Sequence, residues 1–264
     1  MNGPKYGICR LSIMPVRAEP SHKAELVSQL LFGDHYEVTE SSADSKWEKI
    51  RIYSDHYEGW IDRNQHHPVG QEYFDYLNRA EFKITTDVTT SILYNKSPLV
   101  IVIGSVIPIS SSELFKMEAQ YAFNGEAKNI GQKRDFEFLK NIAMKYLHAP
   151  YLWGGKTPFG IDCSGFSQMV FRICGYSISR DAWQQASQGK PVDNFNDALP
   201  GDLAFFKNAE GKVSHVGIVL SDSRIIHASG RVRIDRLTEK GIVAGETSEI
   251  SHTFSHLRRV LTDA

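Results

Sequence analysis

Apolar and polar positions alternate in short runs along the first part of the chain, at Cys9–Ile13, Tyr36–Thr39 and Trp47–Ile52. Alternation with period two marks a strand with one buried face. Turn-rich stretches separate the runs: Glu19-Pro20-Ser21, Gly33-Asp34, Ser41–Ser45 and Ser54-Asp55. Short strands about ten residues apart predict a small β-barrel over residues 5–65. A piece of that length leans on a neighbour for part of its core. His66-His67-Pro68-Val69-Gly70 reads as a boundary. Beyond it, Leu99–Ile103 and Ser105–Ile109 read as buried strands joined through Gly104, and Met117–Ala122 as another. Together they predict a second small β unit.

From residue 129 the period changes. Asp135–His148 sets Phe136, Leu139, Ile142, Ala143, Tyr146 and Leu147 on one helical face. Cys163–Cys174 sets Phe166, Met169, Val170 and Ile173 at i, i+3, i+4 and i+7, a second amphipathic helix. Strands are expected at Asp202–Phe206, Val213–Leu220, Arg224–His227 and His256–Leu261. Helices followed by an antiparallel sheet make an α+β arrangement. The chain therefore divides into three expected modules, 1–66, 67–128 and 129–264.

Composition narrows the function classes. Of 264 residues, 41% are hydrophobic and 23% charged, the profile of an ordinary globular protein. Thirty Lys and Arg against 31 Asp and Glu leave a net charge of -1. No field of one sign steers the chain onto nucleic acid or an anionic membrane. The longest apolar stretch, Leu99–Ile109, is interrupted by Gly104, Ser105 and Pro108. It falls short of the roughly 20 residues a transmembrane helix needs. Met1–Pro20 holds Lys5, Arg10, Arg17 and Glu19 and fits no signal-peptide core. The cytoplasm is the compartment this leads one to expect.

The three cysteines, Cys9, Cys163 and Cys174, are too few and too scattered for a disulfide framework or a zinc site. Cys9 and Cys174 read as small buried hydrophobes. His66-His67 reads as a solvated loop, because adjacent side chains rarely converge on one ion. Cys163 is different. A loop containing Gly154, Gly155, Pro158 and Gly160 leads to Asp162, which stands where an N-cap belongs. Cys163 then falls in the first helical turn, where the helix dipole favours a thiolate and a depressed thiol pKa is expected. A cysteine exposed in this way is a candidate nucleophile.

A nucleophile needs a base, and two histidines follow on neighbouring strands. With Ser221-Asp222-Ser223 as the loop, Gly217 lies opposite His227, and His215 becomes the diagonal neighbour of His227 on the same face. A loop of two or four residues puts the two histidines on opposite faces. The pairing therefore requires an odd loop or a bulge.

These segments carry a resemblance. Pro150–Gly155, Asp162–Phe166, Leu199–Phe206, His215–Ile218 and Ile226–Ala228 follow, in order, the motifs of the NlpC-type cysteine peptidase family of papain-like fold. The resemblance covers about half the chain. It implies Cys163 as nucleophile and His215 as general base. His227 takes the third place and orients His215. Tyr151 matches the family tyrosine whose hydroxyl lies beside the nucleophile, a candidate for oxyanion stabilisation. Trp153 matches a tryptophan of the cleft wall.

The N-terminal region resembles a bacterial SH3-like domain, through Met14–Pro20 and the closing Tyr57–Ile61. One or two SH3-like barrels before a papain-like domain resemble the γ-D-glutamyl-L-diamino acid endopeptidases of murein peptide recycling. That resemblance implies a murein peptide with a free N-terminal L-Ala as substrate; no cofactor and no metal ligand set are expected from the sequence. A buried ammonium needs acceptors. Asp162 and Ser164 beside the nucleophile, and Tyr57 and Glu19 from the first module, are the expected ones. Two other readings compete: a secreted endopeptidase acting on polymeric peptidoglycan, and a non-catalytic protein that binds cell-wall peptides.

Overall fold

The computed structural model describes residues 5–107, 121–245 and 248–261. It divides into two compact units, Met1–Gln132 and Lys133–Ala264.

The first unit is built on a seven-stranded sheet. Its order is Leu26–Leu31, Ile13–Arg17, Glu58–Asp62, Trp47–Ile52, His35–Ser41, Tyr6–Ile8, Pro68–Val69. The alternation seen in the sequence turns Met14, Val16, Leu30, Tyr36, Ile50, Ile52 and Ile61 into one buried cluster. The expected strand at Cys9–Ile13 does not form as such. Tyr6–Ile8 pairs with His35–Ser41, whereas Ile13–Arg17 pairs with Leu26–Leu31, so the chain leaves the ladder between them to change partner. The stretch read as a boundary is sewn into this sheet. Val69 pairs with Tyr6, Ile8 N–H donates to the His67 carbonyl, and His66 Nδ1 lies 3.0 Å from the Tyr36 hydroxyl.

A helix follows at Gln71–Arg79, where the sequence reading had none. Its inward face holds Phe74 and Leu77, with Tyr73 and Tyr76 packed beside them. The expected second β unit is two three-stranded sheets. Ser97–Val102 and Val106–Ile107 stand close to the two strands read at Leu99–Ile103 and Ser105–Ile109. Pro108, Ile109 and Met117–Gln120 of the expected strands lie outside the described residues, and the strand there is Tyr121–Asn124. Phe32, in the turn after Leu26–Leu31, packs with Ile92, Ile101 and Ile107, so the two β parts share apolar cores.

The second unit opens with the expected helix, Phe136–Lys145, whose first turn is capped by Asp135 accepting from Phe138 N–H. The Cys163–Ile173 helix is buried along almost its whole length; every residue but Arg172 is inside. The expected amphipathic stripe is therefore one side of a central helix. Its neighbour is an antiparallel sheet in the order Lys190–Val192, Ile250–Arg259, Leu203–Lys207, Val213–Leu220, Arg224–Ser229, Arg231–Thr238, Gly241–Val243. Gly241–Val243 also pairs with Ile250–Arg259, which closes six of the strands into a barrel. Ala204, Phe206, Val219, Ile225, Leu237, Ile242 and Leu257 form its core. No helix among the described residues is long and apolar enough to cross a membrane.

Candidate active site

The Gly-rich loop and the start of the Cys163–Ile173 helix fit together through Asp162. Its Oδ1 accepts from Gly165 N–H at 2.6 Å, the N-cap bond the sequence predicts. Its Oδ2 accepts from Gly154 N–H at 2.8 Å and so ties the loop to the helix. Arg180, itself buried, completes the set with Nη1 to Oδ1 at 3.0 Å and Nη2 to Oδ2 at 2.6 Å. Ser164 Oγ donates to Oδ1 at 3.3 Å and accepts from Arg180 Nη1 at 2.9 Å. The carboxylate already accepts five hydrogen bonds and carries a guanidinium counter-charge. Both side chains build the helix start.

Backbone contact finishes the joint. A Cβ on Gly165 would run into the Gly155 carbonyl oxygen and lie 2.9 Å from Asp162 Oδ1. Gly165→Ala is therefore expected to push the loop off the helix and move the thiol. Since displacements near 1 Å cost on the order of 10²-fold, kcat/KM should fall by about that factor. Steady-state kinetics beside a circular-dichroism melt would check that the fold survives.

Cys163 is buried at the first position of its helix. Burial, and next the Asp162 carboxylate, push its thiol up to about 12, against the backbone N–H groups of Val216 and Ser164, which favour the anion. The depressed thiol expected from the helix dipole is thus overturned by desolvation. Tyr151 is half-exposed, and its hydroxyl is also pushed up to about 12, first by burial and then by the neighbouring Cys163 and Asp162. It sits within the electrostatic reach of the nucleophile that the resemblance implied. Trp153 is 60% exposed.

The loop between the histidine strands is the odd one. Val213–Leu220 and Arg224–Ser229 pair with Gly217 opposite His227. His215 and His227 share a face, with His215 Nε2 2.8 Å from His227 Nδ1. Nδ1 of His215 is then the nitrogen left for a thiol. His215 is held well below the usual imidazole range by burial, then by His227 and His252. Burial thus favours the neutral form of both the thiol and the imidazole.

Three residues of this region were not singled out from the sequence. Arg180 is one. The second is Asp235, whose Oδ2 lies 3.0 Å from His227 Nε2. The third is His252, stacked on His215 with ring centroids 4.0 Å apart and planes at 26°. Burial and His227 lower His252 to about 4. Ligand atoms of His215, His227 and His252 lie within 4.8 Å of one another. Stacked rings, however, aim their in-plane lone pairs along nearly parallel planes, so His215 and His252 do not converge on one ion as a tetrahedral site requires.

Tyr57 and Glu19 belong to the first unit. Tyr57 packs against the barrel core there. Glu19 is an exposed turn residue whose carbonyl accepts from Ser21 N–H.

Residues 148–248 match the NlpC/P60 family, and residues 16–65 match the bacterial dipeptidyl-peptidase SH3 domain. Dipeptidyl-peptidase 6 of Lysinibacillus sphaericus is 30% identical over 254 residues, which cover 84% of this chain and 88% of that protein. The chain belongs to the NlpC/P60 family. It is a cysteine peptidase, as the sequence resemblance implied. The NlpC/P60 match takes in Tyr151, Cys163, His215, His227 and Asp235, and ends before His252. A γ-D-glutamyl-L-lysine dipeptidyl-peptidase of Bacillus subtilis (strain 168) is 43% identical over 99 residues, 37% of this chain and 33% of that protein. The crystal structure of an NlpC/P60 family protein from Bacillus cereus ATCC 10987 superposes with a TM-score of 0.81 at 20% identity. The match covers 97% of this chain and 100% of that one and shows a shared fold.

Proposed function

We propose that this cysteine peptidase cuts free murein peptides between γ-D-glutamate and the diamino acid, releasing L-Ala-γ-D-Glu, in the cytoplasm. The reading is carried by one coincidence: the Cys163, His215 and His227 set stands in a chain whose N-terminal module matches a dipeptidyl-peptidase SH3 domain. Relatives named for γ-D-glutamyl-L-lysine dipeptidyl-peptidase activity support it. A dipeptidyl-peptidase counts two residues from a free amine, which polymeric wall stems bound to sugar lack.

In this reading the Cys163 sulfur attacks the γ-carbonyl carbon and its proton passes to His215 Nδ1. The helix N-terminus, and the Tyr151 hydroxyl, face the developing oxyanion. His215 then protonates the departing amine, leaving a thioester. Water, deprotonated by His215, attacks that thioester. The γ-carboxylate leaves and the proton returns to sulfur.

The test uses two peptides, L-Ala-γ-D-Glu-diaminopimelate with a free amine and the same peptide acetylated on alanine, read by mass spectrometry. Cleavage of the free peptide alone is the expected result. An unpaired or missing ammonium should cost 10² or more in kcat/KM. Equal cleavage of both, with release from intact sacculi, would replace this reading by wall hydrolysis. No cleavage of either would leave peptide binding without this turnover.

A further inference from the structure

Three adjacent strands of the catalytic unit carry a row of polar side chains across one face. His227 lies opposite Gly217 on one side and opposite Arg233 on the other. His215 and Asp235 each stand two residues from those partners, so His215, His227 and Asp235 run diagonally over the sheet. The row is hydrogen-bonded throughout: 2.8 Å from His215 Nε2 to His227 Nδ1, and 3.0 Å from His227 Nε2 to Asp235 Oδ2. His227 is 1% exposed and Asp235 6%, so bulk water does not choose where their protons sit.

The chemistry of each atom then fixes the next. A carboxylate only accepts hydrogen bonds. His227 must therefore carry its proton on Nε2, and a neutral ring protonated there offers a lone pair at Nδ1. That lone pair requires a donor, which makes His215 the Nε2–H tautomer. The free lone pair of His215 is thereby placed on Nδ1, the nitrogen left for Cys163. We propose that Asp235 is a positioning residue that sets the tautomer of the catalytic base through His227. The inference rests on the catalytic reading of Cys163 and His215.

Asp235 is itself fixed. Arg233 reaches Oδ2 through Nε at 2.8 Å and Oδ1 through Nη2 at 3.0 Å, and Gly245 N–H donates to Oδ1 at 3.1 Å. The ionisable groups around the row are Arg233 beside Asp235, His252 beside both histidines, and Cys163 with Asp162 and Arg180 beyond His215. Hydrogen bonds to Asp235 from His227, Gly245 and Arg233 outweigh its burial and keep the carboxyl ionised far below the usual carboxylate range.

This geometry predicts an inverted order of severity. In Asp235→Asn, Arg233 faces both oxygen positions and Gly245 N–H faces only Oδ1, so the amide oxygen settles at Oδ1 and the NH₂ faces His227. His227 must then accept at Nε2 and donate from Nδ1. His215 is driven to the Nδ1–H form, which has no lone pair for the thiol. Asp235→Ala removes the acceptor but leaves both tautomers open. Asp235→Asn should therefore lose about 10³-fold in kcat, by analogy with the same change at a triad aspartate. Asp235→Ala should lose only about 10-fold. KM should hold in both, and the Asp235→Asn residue of activity should rise with pH as the thiol ionises unaided. A purely structural role predicts the opposite order, with the isosteric amide milder, and that order would overturn the inference. Should either variant misfold, long-range ¹H–¹⁵N spectra of the unmodified protein decide it. Nε2–H on His227 and on His215 supports the row, and Nδ1–H on His227 overturns it. Full activity of Cys163→Ala would instead remove the site reading beneath it.

Discussion

Cys163→Ala should bring turnover to background while the protein still folds. Loss of a nucleophile that acts as one unit with its base costs at least about 10⁴-fold in kcat. Cys163 begins its helix, and the cap bond there comes from Asp162, so alanine keeps the helix start. The melting temperature should shift by only a few degrees. The same site predicts the pH profile. His215 sits well below the usual imidazole range because it is buried and flanked by His227 and His252. Only its neutral form accepts the thiol proton. Activity should therefore stay level from neutral pH down past about 6.5, the ordinary imidazole value, and fall only when His215 itself protonates. Stability moves earlier. A histidine kept neutral in the fold protonates first in the unfolded chain, so stability is full above about 6.5 and declines as the pH drops below it. A profile of kcat/KM with its acid limb above 6.5 would remove His215 as a buried neutral base.

Much of this site could be read from spacing. The three-residue loop Ser221–Ser223 set the parity of the two histidines, and the ladder places Gly217 opposite His227 as the count requires. Asp162 was legible as a cap because capping is local. What it does beyond capping was not, because Arg180 is 18 residues away in sequence and meets it only in the fold. Asp235 was hidden for a different reason. Arg231–Thr238 puts Arg233 and Asp235 on its inward side, so the apolar alternation that reveals a strand is broken by the residues that serve the site. The register was nonetheless countable, since Ser229 pairs with Arg231 around Gly230 and places Arg233 opposite His227. The missed helix Gln71–Arg79 presents Phe74 and Leu77 with tyrosines, and its cap, Gly70, offers no side-chain acceptor. Of the signals for a helix start, only an acidic residue in the first turn, Glu72, was present. The thiol pKa went the other way because a dipole argument counts one favourable field and omits the cost of burial.

The largest stability effect is expected at Arg180. Arg180→Met keeps much of the volume and removes the only positive charge that the described hydrogen bonds bring to Asp162. The two side chains are 2% and 8% exposed, so the carboxylate left behind has no water to replace the guanidinium. Gly154 N–H, Gly165 N–H and Ser164 Oγ still donate to it, which limits the loss without cancelling the charge. Breaking a buried pair from one side costs about 3–5 kcal/mol. At the size of this unit that is a fall of roughly 10–20 °C in melting temperature. The charge, rather than the packing, should account for most of it. Combining Arg180→Met with Asp162→Asn removes the orphaned charge, so the double variant should melt above the sum of the two single losses, with a coupling of about 1–3 kcal/mol. Thermal unfolding of the four proteins at pH 7 measures that coupling directly. Strict additivity would mean that the guanidinium packs beside Asp162 without compensating its charge. Activity should follow stability here only in part. The Gly154 and Gly165 bonds to Asp162 also set where Cys163 points, so Arg180→Met should lower kcat even at temperatures where the fold is intact.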